Sequence, residues 1–591
     1  MLLQADLIFT ALKKEFMSDL IISRRMPSNS DHLPASLHPR IKQLYADRGV
    51  QSAQELERST QALLHFKQLR GLEAAVVLLA DAIKAQQKII VVGDFDADGA
   101  TSTALCMLSL RMLGSTNHTY LVPNRFDFGY GLSPEIVEVA ASQQAELIMT
   151  VDSGIACFAG VNKAKSLGIK VLITDHHLAA ESLPAADAIV NPNQPGCEFL
   201  SKNLAGVGVA FYLMLALRAE LKSRDWFAQQ GIAVPNLAEL LDIVALGTVA
   251  DVVPLDSNNR ILVHQGLQRI RSDQCRPGIQ AIMEVAGRDR SRLVASDLGF
   301  VVGPRLNAAG RLDDMSLGIE CLITDSPTTA RQIAVQLDSL NRERREIESS
   351  MQQEAVKALE ALNLQAQDLP YGLVLYQADY HQGVIGILAG RIKDKYFRPT
   401  IAFAHQDEQL LKGSARSIPG VHIRDLLETI KLKNPDLIIK FGGHAMAAGL
   451  TIERAKLAQF EQVFHHVAQQ LLQDKPMAGE VLSDGELLTE HYSIEFAQIL
   501  KDAGPWGQSF PEPVFDDEFE LLEQKLLGGK HLKMMLRYQG KLLVDAIAFN
   551  IDPLVWPNLA CQHVRLAFKL DINEFRGRRS LQLMVEAILP A

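Results

Sequence analysis

Three aspartates at alternate positions, Asp94, Asp96 and Asp98, follow the apolar run KIIVV and precede Gly99 in the stretch IIVVGDFDADGATS. Alternating carboxylates before a turning glycine suit a hard cation, and D-x-D-x-D-G opens the twelve-residue calcium loop of EF-hands. That loop needs a bidentate glutamate at its twelfth position, which here, counted from Asp94, is Leu105. The residues before Asp94 also read as a strand where a helix is required, so a calcium wrap is excluded. Further acids follow similar runs: Asp152 after LIMTV, Asp175 with His176 and His177 after KVLIT, and Asp251 within LGTVADVVPL. Taken singly, each reads equally well as a helix cap or a turn residue. Taken together they converge if the runs are neighbouring strands of a parallel sheet, because ligands collect beyond the carboxyl ends of such strands.

Clustered carboxylates repel one another and take up protons unless cations neutralise them. If Asp96, Asp98, Asp152 and Asp251 meet a neutral His176, their four negative charges match two divalent ions. Oxygen-rich ligands with a single imidazole favour magnesium or manganese over zinc. Two ions about 3.5–4 Å apart can activate a water and hold both the attacking and the leaving oxygen of an in-line displacement at phosphorus. Phosphodiester hydrolysis is the chemistry expected of such a set.

The elements that must position these residues are legible as an α/β pattern. From about Lys88 to Pro192, short β-branched runs alternate with helical stretches, and Ser133 with Pro134 marks a helix start. Further helices continue to about residue 270. A charged, helix-favouring segment from Thr328 to about Leu362 reads as a connecting helix. After Pro370 a second, smaller α/β pattern runs to about residue 470. Beyond Pro511 five alternating strands separated by GG, QG and RGRR turns suit a small antiparallel barrel. The expected organisation is an N-terminal extension (1–45), a parallel-sheet domain (46–270), a helical region with the connecting helix (271–365), a smaller α/β domain (366–470) and a barrel domain (471–591).

A net charge of −10 over 591 residues confines any nucleic-acid contact to a local patch. The barrel supplies one. Lys525, Lys530, Lys533, Arg537 and Lys541 lie in a stretch without Asp or Glu from Gln524 to Val544, with Tyr538, Phe568, Phe575, Arg576, Arg578 and Arg579 nearby. A basic groove with aromatic platforms holds single strands without reading sequence; a solvated strand face is the alternative. No G-x-x-x-x-G-K-[ST] loop occurs, and the G-x-G of Gly206 and Gly208 meets Phe211 where a third glycine is required, so nucleotide-fold readings fail. The six cysteines are scattered without a C-x-x-C pair, which fits a reducing cytoplasm. Charges interrupt the apolar patches of the first 26 residues below the length of a signal core or membrane span.

The set DFDADG, TVDSG, TDHH and GTVADVVPL resembles the DHH phosphoesterase superfamily, named for the triplet Asp175, His176, His177. GPRLNAAGRLDD, HQGVIGILAGR, GSARS and FGGHAMAAG extend the likeness, in the order of the superfamily's bacterial single-strand-specific exonucleases, from about residue 40 to the end. The resemblance implies that Asp96, Asp98, Asp152, His176 and Asp251 ligate the metals. Asp94 either touches a metal or fixes the turn. Asp175 would orient His176, and His177 would face the scissile phosphate or leaving group. By the same resemblance the second domain is a DHHA1 module, in which Ser414, Arg416, Ser417, Gly442, Gly443 and His444 suit a nucleotide phosphate. Arg125, Arg305, Asn307 and Arg311 are further phosphate candidates near the metals, and the barrel is an OB-fold. The implied activity is 5′-to-3′ degradation of single-stranded DNA to mononucleotides in recombination and repair, beside a helicase and a single-strand-binding protein. One alternative is a hydrolase of short oligonucleotides or cyclic dinucleotides, whose relatives lack the barrel. The other is a silent strand-binding protein, like a eukaryotic relative that has lost the metal motifs kept here.

Overall fold

The computed structural model describes residues 20–123, 131–361, 369–473, 479–553, 555–575 and 577–591. The chain packs as two units, one of Met26–Arg342 with Gln498–Pro513, the other holding the first strand, Glu343–Ala497 and Val514–Ala591. That first strand is β1 (Ile21–Arg24).

In the first unit, β2 (Ile89–Val92), β3 (His118–Leu121), β4 (Leu147–Thr150), β5 (Lys170–Thr174) and β6 (Ala188–Val190) form a sheet in the order β3-β2-β4-β5-β6, parallel throughout. Every residue of β2 and β4 is buried, which explains runs that are apolar rather than alternating: both faces are covered. Helices Pro134–Ser142 and Phe158–Ser166 cover Ile90, Val92, Ile148, Val171 and Ile173. Helix α1 (Ala97–Met112), which leaves β2 through the aspartate loop, packs against α2 (Gly206–Ser223) and α3 (Leu241–Ala250). Helix α3 is apolar on every side and is buried accordingly. A π-helical turn (Leu298–Val302) runs directly into α4 (Gly303–Leu312). Gly310 of α4 lies so close to the loop that a β-carbon would stand 1.9 Å from the Phe95 carbonyl oxygen. The charged segment forms α5 (Pro327–Ala361), whose residues to Arg342 belong to this unit and those from Glu343 to the other.

The second unit contains a mixed sheet of β7 (Leu373–Tyr376), β8 (Thr400–His405), β9 (Leu410–Arg416), β10 (Lys440–Gly443) and β11 (Ala447–Glu453), in the order β10-β11-β9-β8-β7. Helix α6 (Ile385–Tyr396) packs on β8 and β9. Strand β12 (Glu480–Ser483) pairs in parallel with β1. A closed barrel follows, built from β13 (Phe515–Leu527), β14 (His531–Tyr538), β15 (Leu542–Ala548), β16 (His563–Phe575) and β17 (Arg578–Pro590).

Of the first 45 residues, read from sequence as an extension, the described ones (20–45) divide in their packing. Arg24 of β1 meets Asp516, which is fully buried and also takes hydrogen bonds from Ser483 and Arg565. Helix Pro39–Ala46 belongs to the other unit, where the Tyr45 hydroxyl donates to the Ala503 carbonyl at 2.8 Å. No helix among the described residues is long and apolar enough to cross a membrane.

Candidate metal centre and nucleic-acid interface

Register explains how acids far apart in sequence meet. Val92, Thr150 and Ile173 are aligned on adjacent strands β2, β4 and β5, and Asp94, Asp152 and Asp175 each lie two residues beyond them. All three carboxylates leave the same sheet edge and all three are buried. Asp96 caps α1, accepting the Gly99 N–H at 3.0 Å. Asp98, in the first turn of α1, receives the Gly206 and Val207 N–H groups at 2.6 and 3.0 Å. Its charge thus sits at the positive end of α2. Asp251 closes α3. His176 Nε2 lies 3.1 Å from Asp152 Oδ1 and 3.5 Å from Asp251 Oδ2. Asp152 holds a left-handed backbone, φ +57°, uncommon for a residue with a side chain and frequent at functional sites.

Donor atoms gather in three overlapping groups, each within 4.8 Å: Asp94, Asp96 and Asp152; Asp98, His176 and Asp251; Asp152, His176 and His177. Asp152 and His176 belong to two groups each, which suits a pair of cations sharing ligands. Asp94, left open by the sequence, stands among the donors while its Oδ1 also accepts the Phe95 N–H at 2.7 Å. Burial, then the charge of Asp96, pushes the Asp98 carboxyl up to about 7. Burial and the neighbouring carboxylates, Asp98 foremost, raise Asp152 and Asp251 well above the usual range. Oxygen donors that oppose one another's ionisation, with an imidazole among them, fit hard divalent cations.

His177 is held differently. Its Nδ1 lies 2.8 Å from Asp175 Oδ1, which also accepts the N–H groups of His176 and His177 at 2.7 and 3.0 Å. Asp175 Oδ2 accepts the Ile155 N–H at 2.9 Å. Burial alone would lower His177, but the hydrogen bond and charge of Asp175 outweigh it and raise the imidazole. The same contact, acting against burial, depresses Asp175. The ring is thus held through Nδ1 by Asp175, and Nε2 is its second nitrogen for proton transfer. The expectation that Asp175 orients His176 becomes a contact with the His176 backbone; its side-chain partner is His177.

The phosphate candidates separate. Asn307 Oδ1 accepts the N–H of Ala97, between Asp96 and Asp98, at 2.9 Å. Arg311 is half-buried in the last turn of α4. Arg305 is corrected: it is buried, its Nε and Nη2 meet Asp338 at 3.0 and 2.8 Å, and Nη1 donates to the Val301 carbonyl. That guanidinium is committed to fixing α4 to α5. Arg125 lies outside the described residues.

In the second unit Ser414 and Arg416 share one face of β9 and adjoin the first turn of α6. A β-carbon on Gly386 would lie 2.8 Å from Arg416 Nη2 and 2.9 Å from Ser414 Oγ. Among the described residues the Arg416 guanidinium bonds neutral groups, Ser414 Oγ and the Ala415 carbonyl, and burial works against its charge. An arginine at a helix N-terminus is a place for a phosphate. Ser417 is instead spent on a turn, its buried hydroxyl donating to the Val421 carbonyl. Gly443, at φ +145°, turns the chain towards exposed His444, whose N–H bonds the Ala447 carbonyl.

On the barrel, Lys525 and Lys533 are direct cross-strand partners, a repulsive pairing that an anion would relieve, and Lys530 and Lys541 are exposed. Arg537 meets Glu520 at 3.1 Å and Lys533 approaches Asp545 at 3.8 Å, so acids partly offset the patch. Two expected platforms are corrected: Tyr538 and Phe568 are buried in a cluster with Tyr492 and Phe519. Among the described barrel residues, the exposed aromatic is Phe549, just beyond β15, edge-on to His531 at 5.0 Å. Arg578 and Arg579 are exposed; Arg576 and the Phe575 side chain lie outside the described residues.

Three family models match: the DHH family N-terminal domain over residues 88–248, the DHHA1 domain over 370–472 and the RecJ OB domain over 483–587. The chain is 57% identical to the single-stranded-DNA-specific exonuclease RecJ of Salmonella typhimurium and 56% identical to that of Escherichia coli, in each case over 96% of this chain and 99% of the relative. The crystal structure of Thermus thermophilus RecJ with Mn2+ is 28% identical, covering 96% of this chain and 79% of that one at a TM-score of 0.78. Its complex with Mg2+ gives 26% identity, 96% and 78% coverage and a TM-score of 0.73.

Proposed function

Because the chain belongs to the RecJ family of DHH phosphoesterases, it is a metal-dependent exonuclease specific for single-stranded DNA, and we propose that it works from the 5′ end, releasing 5′-mononucleotides. The observation carrying this reading is the meeting, at one buried edge of a parallel sheet, of Asp94, Asp96, Asp98, Asp152, Asp251 and His176. These residues would hold two divalent cations, manganese or magnesium. Bound there, the ions polarise a phosphodiester and make a water a competent nucleophile near neutral pH.

The chain's own residues supply the rest. His177, held through Nδ1 by Asp175, whose charge raises the imidazole, would give a proton from Nε2 to the departing 3′ oxygen, a general-acid contribution of about 10²–10⁴-fold. Asn307 braces the aspartate loop through Ala97, keeping Asp96 and Asp98 in place. In the second unit, Arg416 and Ser414 at the start of α6 suit a strand phosphate, and the barrel's Lys525, Lys530 and Lys533 with Phe549 suit the single strand itself. The barrel weighs against a hydrolase of small dinucleotides, and the complete acid set against a silent binder. We place its work in DNA recombination and repair in the cytoplasm, beside a single-strand-binding protein and a helicase.

The test is cleavage of single- and double-stranded DNA labelled at either end, with manganese, magnesium or a chelator. Release of 5′ label from single strands alone is expected. Release from the 3′ end would overturn the polarity, and equal attack on duplex the specificity.

A further inference from the structure

The run from the π-helical turn through α4 is pinned beside the proposed ligands at two points. Asn307 meets Ala97 at one, and at the other Gly299 and Gly303 lie against Val249 and Ala250, the last residues of α3 before Asp251. From Phe300 to Arg311 every residue is buried except Phe300, Pro304, Asn307 and Arg311. Their spacing of i, i+4, i+7 and i+11 defines one helix face, the face on which Asn307 touches the aspartate loop. Phe300, at its Asp251 end, is 78% exposed. Val252, next to Asp251, is 62% exposed and holds φ +60°, a conformation that costs a β-branched residue dearly and that glycine would adopt without strain. Phe300 lies within the π-turn, a distortion frequent at functional sites, while Leu298, Val301 and Val302 of the same turn are buried.

We propose that Phe300 is a positioning residue whose ring stacks on a nucleobase of the bound strand, with Val252 bordering the same place from the Asp251 side. Resting on the nuclease reading, this assigns the chain a base contact within its first unit. Every base offers a π-face, so stacking holds a strand in register without reading its sequence. Phe300 lies about 10 Å along the helix axis from Asn307 at ~1.5 Å per residue, a distance of two or three stacked nucleotides at ~3.4 Å each. The base it meets therefore lies close to the phosphodiester being cut.

Single-turnover cleavage of 5′-labelled oligonucleotides carrying one abasic residue at each of the first few positions tests this. Phe300→Ala should lower kcat/KM on intact single strands about ten- to hundredfold, the worth of one stacked base, with an unchanged melting temperature. Phe300→Trp should retain the rate, whereas Phe300→Leu, apolar but without a π-face, should not. At one abasic position the unmodified chain should lose the same factor and Phe300→Ala should lose nothing further. Full rescue by leucine, or equal losses from Phe300→Ala at every abasic position, would overturn the proposal. An active chain indifferent to Phe300→Ala overturns it alone; an unmodified chain inert on single strands overturns the nuclease reading as well.

Discussion

Gly206 lies against Asp152 so closely that a β-carbon on the glycine would stand 2.6 Å from the Asp152 Cβ and 2.7 Å from its Oδ1. The same glycine gives its N–H to Asp98 Oδ2. One residue without a side chain thus sets the separation of two carboxylates, one on α1 and the other just beyond β4. Gly206→Ala must push Asp152 away or retract α2 and loosen Asp98. Overpacking of this kind costs about 1–3 kcal/mol of stability, and a shift of about 1 Å at a catalytic group costs on the order of 10²-fold in rate. We expect a folded variant that cleaves single strands at least ~100-fold more slowly and needs more manganese for half-maximal rate. Calorimetry beside a metal titration of the rate checks both; a wild-type metal requirement would refute the spacing role.

Asp175→Asn isolates the effect of the Asp175 charge on His177. Asparagine keeps an oxygen for the backbone N–H groups but removes the charge that outweighs burial and raises the imidazole. The single-turnover rate should fall about 10²–10⁴-fold. Because the charge raises His177, its removal should carry the alkaline limb of the pH–rate profile to lower pH. Joined to His177→Ala, the substitution should add little, since the two residues act as a unit. An unmoved limb would show that Asp175 serves only as a backbone anchor.

Without divalent ions the acid cluster should make the fold sensitive to pH in an unusual direction. Asp98 is pushed to about 7 and Asp152 and Asp251 are raised too, whereas in the unfolded chain each titrates near ~4. Between those values the folded form binds more protons than the unfolded form, so stability falls as pH rises through the window. With a chelator the melting temperature should drop by several degrees from about pH 5 to about pH 8. Manganese should restore more of it at the higher pH, and Asp98→Asn should flatten the dependence. A metal-free melting temperature that climbs over this range would contradict the mutual repulsion.

Strand ends were legible in the sequence because a parallel sheet turns position along each apolar run into position in space. Asp94, Asp152 and Asp175 each follow such a run, and register alone aligns them. What holds them there was not legible. Asp98 depends on N–H groups more than a hundred residues downstream, which spacing does not disclose. In PRLNAAGR, residue type suggested phosphate for both arginines, but helix period puts Arg305 on the buried side and Arg311 on the face with Asn307. The barrel misled in the same way. In HLKMMLRY the alternation that buries Leu532, Met534 and Leu536 also buries Tyr538, and an aromatic side chain inside a closed barrel is core before it is a platform.

That distinction separates two substitutions in the barrel by what they damage. Phe568 is fully buried among Phe515, Phe519 and Tyr492, so Phe568→Ala should cost about 3–5 kcal/mol and lower the melting temperature of the barrel. Phe549 is 49% exposed and rests edge-on against His531, so its removal forfeits little packing. If its ring takes a base beside Lys525, Lys530 and Lys533, Phe549→Ala should weaken single-strand binding about five- to a hundredfold at constant salt and leave the melting temperature within a degree or so. Lys525→Ala should instead reduce the steepness with which affinity falls as salt rises, because it removes a phosphate contact rather than a stack. Fluorescence anisotropy of a labelled oligonucleotide, with a chelator present to prevent cleavage, measures both quantities on the full chain. Binding by Phe549→Ala that matches the unmodified protein would move the stacking surface elsewhere on the barrel.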